Sequence, residues 1–378
     1  MNYRSLFNLP EDCHYFNNSY MAPQLKSVTA IGKQFLEQKE RPYNIFPADF
    51  FSYSEQLKQK FARLIHSDDP QRIALGPSAS YCLANAANNV PLVQGDEILL
   101  TAEQFPSNVY CWEKAAANTS AKVMFIQKPI EKSISWTDQI IEAINSKTKV
   151  VAMGHVHWAD GSLFDLMRIR KACDAVGAYL IIDGTQSVGA LGFSIKEINP
   201  DALIVSGYKW MMGAYGMSLA YYGPRFDTGI PIEESWMNRK DSEDFAGLVN
   251  YESAYKSGAN RYSMGQSSSF VYSAMLDKAL EHLLDWGTDS IQNHGFDIMH
   301  LLKAELDNSP FTFGEQGEHA GHLWSLKLPE GLDKEQLKAK LKAHNVYLSI
   351  RGDYIRIASH LYNNDRDVEV LANVLKQF

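Results

Sequence analysis

The chain has 378 residues, 45% hydrophobic and 21% charged, enough for a sizeable core in two domains or three. Its 36 Lys and Arg stand against 44 Asp and Glu, and the net charge of −8 is the wrong sign for a nucleic-acid or anionic-membrane surface. No apolar run approaches the ~18 residues of a membrane span, and Pro10, Glu11 and Asp12 interrupt the N-terminus before a signal-peptide core can form, so the expected address is cytoplasmic.

In chain order, short apolar and β-branched runs alternate with helical patterns. Strands are expected at 72–75, 97–101, 123–127, 150–153, 179–183, 202–206 and 218–222. Helices are expected at 80–91, 107–118, 137–145 and 163–176. Runs that are apolar throughout suit strands covered on both faces, and the alternation reads as an α/β domain with a mostly parallel sheet. The stretch 224–267 is rich in Gly, Ser, Asn and Pro and lacks clean periodicity, which marks a functional segment more often than an idle one. After about residue 280 the pattern becomes α+β. Helical stretches near 272–307 lead to a strand at 322–328, a helix at 334–344, strands at 346–350 and 354–358, and a closing helix at 365–376. The expected division is a large domain, 20–280, and a small one made of 1–19 and 281–378.

Four isolated cysteines, at 13, 82, 111 and 173, form no C-x-x-C pair, so neither a zinc site nor a dithiol centre is indicated. His155 and His157 could share a strand face, but no third ligand stands nearby. No G-x-G-x-x-G follows the first strand, and GPSAS (76–80) lacks the last glycine of a G-x-S-x-G elbow.

Lys209 lies just past a strand, where open α/β folds place their ligands. Alone it reads as a surface lysine. Asp183 ends the preceding apolar strand YLIID, and a carboxylate there needs a cation or a donor. A protonated pyridine nitrogen is such a partner; an N-cap on Gly184-Thr185 would use the same residue. The run Gly76-Pro-Ser-Ala-Ser80, ahead of a helix, suits either a phosphate site or an ordinary serine cap. Phe105 could lay its ring on a planar cofactor or pack in the core. Arg356, in the strand YIRIAS, calls for a bidentate partner, from a substrate carboxylate or an internal ion pair.

Together DGTQSVGA (183–190), SGYKWMMGAYG (206–216) and RIASHLYNNDRDV (356–368) resemble the class V aminotransferases, a family that includes cysteine desulfurases and kynureninases. The resemblance runs from about residue 14 to the C-terminus. It implies the fold-type-I architecture: a large domain with a seven-stranded mostly parallel sheet, a small α+β domain, and pyridoxal 5′-phosphate (PLP) held as a Schiff base on Lys209. It also implies Asp183 at the pyridine nitrogen and Gln186 at the phenolic oxygen. Ala79, Ser80, Ser206 and Tyr208 would hold the phosphate, Phe105 would lie on the ring, and Trp158 beside the phenolic oxygen. An amino-acid substrate would meet Arg356 and Asn18 and react through an external aldimine. A homodimer with a shared site is implied too, although Gln266 stands in RYSMGQS where the family has threonine.

The departures narrow the chemistry. Sulfur-transferring members carry a loop cysteine before the carboxylate-binding arginine, and NVYLSIRGDYIRIAS has none. Phe105-Pro-Ser-Asn108 resembles kynureninase, yet Asn108 and Gln186 replace the acid and the histidine of that group. Transamination is the first expectation, with a kynureninase-like or other β-lyase second, and racemase and desulfurase behind. A non-catalytic relative would often lose the lysine or the pyridine-binding aspartate, and this chain keeps both.

Overall fold

The computed structural model describes residues 2–131, 133–314 and 319–378. The N-terminal part forms β1 (His14–Tyr15), α1 (Lys26–Gln38) and α2 (Asp49–Leu64). Strands and helices then alternate: β2 (Ile73–Gly76), α3 (Ala79–Asn89), β3 (Glu97–Thr101), α4 (Ser107–Thr119), β4 (Lys122–Ile126), α5 (Trp136–Ala143) and β5 (Thr148–Gly154). They continue as α6 (Leu166–Val176), β6 (Tyr179–Asp183), α7 (Ile195–Ile198), β7 (Ala202–Ser206) and β8 (Ser218–Tyr222). The segment up to 269 holds only short 3-10 turns, and α8 (Phe270–Trp286) and α9 (Thr288–Glu305) follow. The chain closes with β9 (Thr312–Phe313), β10 (Leu323–Lys327), α10 (Lys334–Ala343), β11 (Val346–Tyr347), β12 (Ser349–Arg351), β13 (Tyr354–Ala358) and α11 (Asp365–Leu375).

Seven strands form one sheet in the order β2-β8-β7-β6-β5-β3-β4. Strands β3 to β7 pair in parallel, and β8 runs antiparallel to both its neighbours. All seven lie within two residues of the expected spans. Their uninterrupted apolar runs have a direct cause. Leu180, Ile182, Leu203 and Val205 feed the core on one face, while Ile181, Ile204, Val150 and Ala152 feed the core on the other. Successive side chains point to opposite faces, so a sheet covered on both sides needs every position apolar.

A second sheet, β12-β13-β10-β9, is antiparallel. Its core joins Phe16 to Leu302, Trp324, Leu337, Ile355 and Leu371. The chain start is laced into this part: β1 pairs with β11, and Asn17 bridges Ala358. Two expectations are corrected. The strand at 346–350 divides at Leu348, because Val346–Tyr347 pairs with β1 and Ser349–Arg351 with β13. The helix at 163–176 starts at Leu166, where the Asp165 carboxylate accepts from the Arg168 N–H and caps the first turn. The helical stretches expected near 272–307 are α8 and α9, which meet at Gly287, φ +73°. Among the described residues no helix is long and apolar enough to cross a membrane.

One glycine positions the site directly. Gly189 has φ +102°, and a Cβ there would collide with the main chain of Trp210, next to Lys209. Gly189→Ala is expected to cost about 2–4 kcal/mol in urea unfolding, from the left-handed conformation plus overpacking. Gly192→Ala is the control: its methyl would meet only Thr288 Oγ1 at 3.6 Å, and the expected change is under ~1 kcal/mol.

Candidate active site

The parallel strands end along one edge of the main sheet, and their loops meet there. Gly76 of β2 and Ser206 of β7 both pair with Ser218, so they flank it at that edge. Asp183 closes β6 beside β7, and Lys209 follows Ser206 by one tight turn. One cleft is lined by Ala79, Gln104, Phe105, Trp158, Asp183, Thr185, Gln186, Ser206, Tyr208 and Lys209, with about 420 Å³ of unfilled space including its solvent mouth. Eight of the residues expected from sequence are therefore brought together.

Lys209 is buried, and its amine makes no hydrogen bond among the described residues. Nζ sits 5.3 Å from the centre of the Phe105 ring and 5.6 Å from that of Tyr208. Burial pulls the ammonium down to about 8; Asp183 opposes the shift, and the Arg356 and Arg351 charges add to it. Asp183 is held by the backbone N–H of Thr185 at 3.0 Å, and burial raises its carboxyl above the usual range. Thr185 also accepts from the Ser206 N–H at 3.1 Å, which locks the ends of β6 and β7 together. Thr185 and Gln104 were not among the expected residues. The Thr185 position beside Asp183 in the DGTQ run was the available signal.

One rim of the cleft is the start of α3. The serine that caps it is Ser78: its Oγ accepts from the Tyr81 N–H at 3.2 Å and lies 2.9 Å from Ser80 Oγ. Ser80 is exposed and Ala79 lines the cleft. Gln186 lines the cleft too, but its amide is already engaged. Nε2 donates to the Ser19 carbonyl at 3.1 Å and Oε1 accepts from Trp210 Nε1 at 2.9 Å. Trp158 meets Phe105 edge-on at 5.4 Å.

Arg356 is 2% exposed and donates through Nη1 to the Trp158 carbonyl at 2.6 Å. Its Nε has no partner, and no carboxylate among the described residues pairs with it. Burial lowers its guanidinium to about 9, assisted by Arg351. The internal ion pair weighed from sequence is absent among the described residues, and a buried cation is left without a counter-ion among them. Asn18 is buried nearby; its Oδ1 accepts from the Tyr362 hydroxyl at 3.3 Å. Gln266 lies apart, exposed and at φ +59° just before α8.

The histidines lie beyond β5 rather than on it. His157 contacts Asp160 at 3.1 Å and the Ala102 carbonyl at 3.2 Å, and burial takes His155 down to about 3. Among the described residues no three His, Cys, Asp or Glu side chains gather as a metal site.

The family pattern described as Aminotransferase class-V matches residues 20–368. The chain belongs to the class V aminotransferase family. It is thereby a PLP-dependent enzyme of the fold-type-I architecture. It is 22% identical to an uncharacterized aminotransferase, YcbU, of Bacillus subtilis over 83% of this chain and 81% of that one. It is 27% identical to a probable cysteine desulfurase of Halalkalibacterium halodurans, over 85% and 81%. Among solved structures, a C-DES mutant with glycine covalently linked to its PLP cofactor superposes with a TM-score of 0.87 at 19% identity, covering 99% of both chains. The donor set fits the family's cofactor: a buried amine without a hydrogen bond, a buried carboxyl on the neighbouring strand, an aromatic ring beside them and a helix start at the rim.

The lowered amine has a measurable consequence in the cofactor-free protein. The folded chain releases the Lys209 proton near 8, whereas the unfolded chain holds it to its ordinary 10.5. Between those values the unfolded state binds more protons, so this group makes stability rise with pH; below the window its full penalty is present. Lys209→Met is expected to stabilise the cofactor-free protein by about 1–3 kcal/mol near neutral pH, with the gain fading toward pH 10.5 in urea titrations.

Proposed function

We propose that the chain is an aminotransferase acting on an amino acid at the Lys209 cleft. The observation that carries this reading is that, of the titratable groups lining the cleft, Lys209 is the one amine: it is buried, makes no hydrogen bond among the described residues and is held at about 8. The other titratable ones are Asp183, buried on the β6 end, and Tyr208, pushed up to about 12 by burial. PLP, when bound, supplies an electron sink that acidifies the substrate Cα. In this reading Asp183 faces the pyridine nitrogen, Phe105 lies on the ring, and Gln186 and Trp158 flank the phenolic oxygen. Ala79, Ser80, Ser206 and Tyr208 hold the phosphate at the start of α3. Arg356, with Asn18 beside it, binds the substrate carboxylate and orients Cα toward Lys209. Lys209 would take the proton from Cα and deliver it, on the same side, to the cofactor's carbonyl-derived carbon, the one transfer transamination requires.

Other members' chemistry finds less support. Two-base racemisation needs an acid–base group opposite the lysine, and Phe105 offers none. Persulfide transfer needs a reactive thiol, and burial pushes Cys82, Cys111 and Cys173 up to about 12 and raises Cys13. Between β12 and β13 only Gly352 and Asp353 intervene, too few for a mobile cysteine loop. We further infer a division of labour and an assembly. Residues 20–280 carry the cofactor groups, 1–19 with 281–378 carry Asn18 and Arg356, and a homodimer brings Gln266 to the neighbouring site.

Mixing the holoenzyme with single amino acids and no keto acid separates the reactions. A transaminase releases one equivalent of 2-oxo acid per subunit and stops; continuing release of product would make it a lyase. Arg356→Ala is expected to raise KM by about 10–100-fold through the lost charged hydrogen bonds, with cofactor content intact. Loss of cofactor instead would make Arg356 structural.

A further inference from the structure

The hairpin that holds Arg356 also presents a second arginine. Ser349 pairs with Arg356, and Arg351 pairs with Tyr354. Directly paired residues share a sheet face, as do residues two apart on a strand. Arg351 therefore stands on the Arg356 face, one step nearer the turn. That turn has two residues, with Gly352 at φ +53°, and leaves the register no slack.

Arg351 reaches toward the cleft. Its guanidinium carbon is 5.8 Å from the centre of the Trp158 ring, and Trp158 lines the cofactor cleft. It is half-buried, and Nη1 donates only to the adjoining Ile350 carbonyl at 3.0 Å. No carboxylate among the described residues pairs with it. Its charge is felt at both Arg356 and Lys209, which fixes it as a neighbour of the reacting centre. On its other side a hollow opens, with about 1360 Å³ of unfilled space including the solvent mouth. Lys338, Lys342 and Arg351 line this hollow and no Asp or Glu does. Lys338 is tied to Glu335 at 2.6 Å; Lys342 and Arg351 have no ion pair among the described residues.

Such a concentration of positive charge runs against the chain's net −8. Two like charges near a partly buried amine repel one another and pay desolvation, so each needs an anionic partner to be favourable. A neutral amino acid supplies one carboxylate, which Arg356 satisfies. We infer that the substrate is a dicarboxylic amino acid, whose side-chain carboxylate is bound by Arg351 at the mouth of the lysine-lined hollow. This rests on the amino-acid reading of the Arg356 cleft.

The test is titration of the holoenzyme with aspartate, glutamate and 2-aminoadipate, and with asparagine and glutamine, followed by the change in cofactor absorbance. At least one acid should half-saturate about tenfold or more below its neutral counterpart, the effect of one charged hydrogen bond. Arg351→Gln should bring that ratio to within roughly threefold of one, and Arg351→Lys should retain part of it. Equal half-saturation by acids and amides in the wild type would overturn the inference. So would an Arg351→Gln variant that weakens acids and amides alike, since Arg351 would then serve the α-carboxylate. Should Arg351→Gln lose its cofactor or fail to fold, the wild-type ratio and the Arg351→Lys variant decide. If no amino acid changes the absorbance of a PLP-loaded protein, the amino-acid reading itself fails, and the inference falls with it.

Discussion

A buried amine and a buried carboxyl at the ends of two adjacent parallel strands set the terms for the whole site. Asp183 closes β6 and Lys209 follows the end of the adjacent β7 by one turn, so the sheet delivers both to one edge. Removing both from water is unfavourable for each, and their mutual attraction recovers only part of that cost. The surrounding chain keeps them there. Thr185 ties the two strand ends, Gly189 allows the Trp210 backbone close approach, and Trp210 donates its indole N–H to Gln186. The result is a nucleophile held at about 8, close enough to neutrality to form and break bonds with a carbonyl.

The second constraint comes from the small sheet. Arg356 is buried without a carboxylate, and Arg351 shares its face. Both charges work against the ammonium form of Lys209, so the three cations repel one another. Anionic ligands relieve that repulsion, and a ligand that binds only the folded chain stabilises it by mass action. The N-terminal strand helps to hold the geometry. It pairs with β11, and Asn17 accepts the Ser349 hydroxyl at 2.7 Å.

The main sheet was legible because strands covered on both faces leave an uninterrupted apolar signature, and each such run marked a strand. The motif residues around Lys209 were legible as a group through the family resemblance. What escaped was set by partners rather than by local pattern. The break at Leu348 depends on two competing neighbour strands. Helices α1 and α2, absent from the expectations, gain their place by packing on α8. The engagement of Gln186 with Ser19 and Trp210 depends on residues 167 and 24 positions away. Arg351 falls between the strands expected at 346–350 and 354–358, and only the hairpin register reveals that it shares a face with Arg356. GPSAS offered two serines as the cap of α3, and only the bond from the Tyr81 N–H to Ser78 Oγ decides between them.

The central claim is that Lys209 is the residue that carries the cofactor. Borohydride reduction of the PLP-loaded protein, followed by peptide mass mapping, tests it most directly. The account predicts loss of the visible absorbance and a stable pyridoxyl mass on the peptide containing Lys209. A label on another lysine, or a folded protein that takes up no PLP, would contradict it.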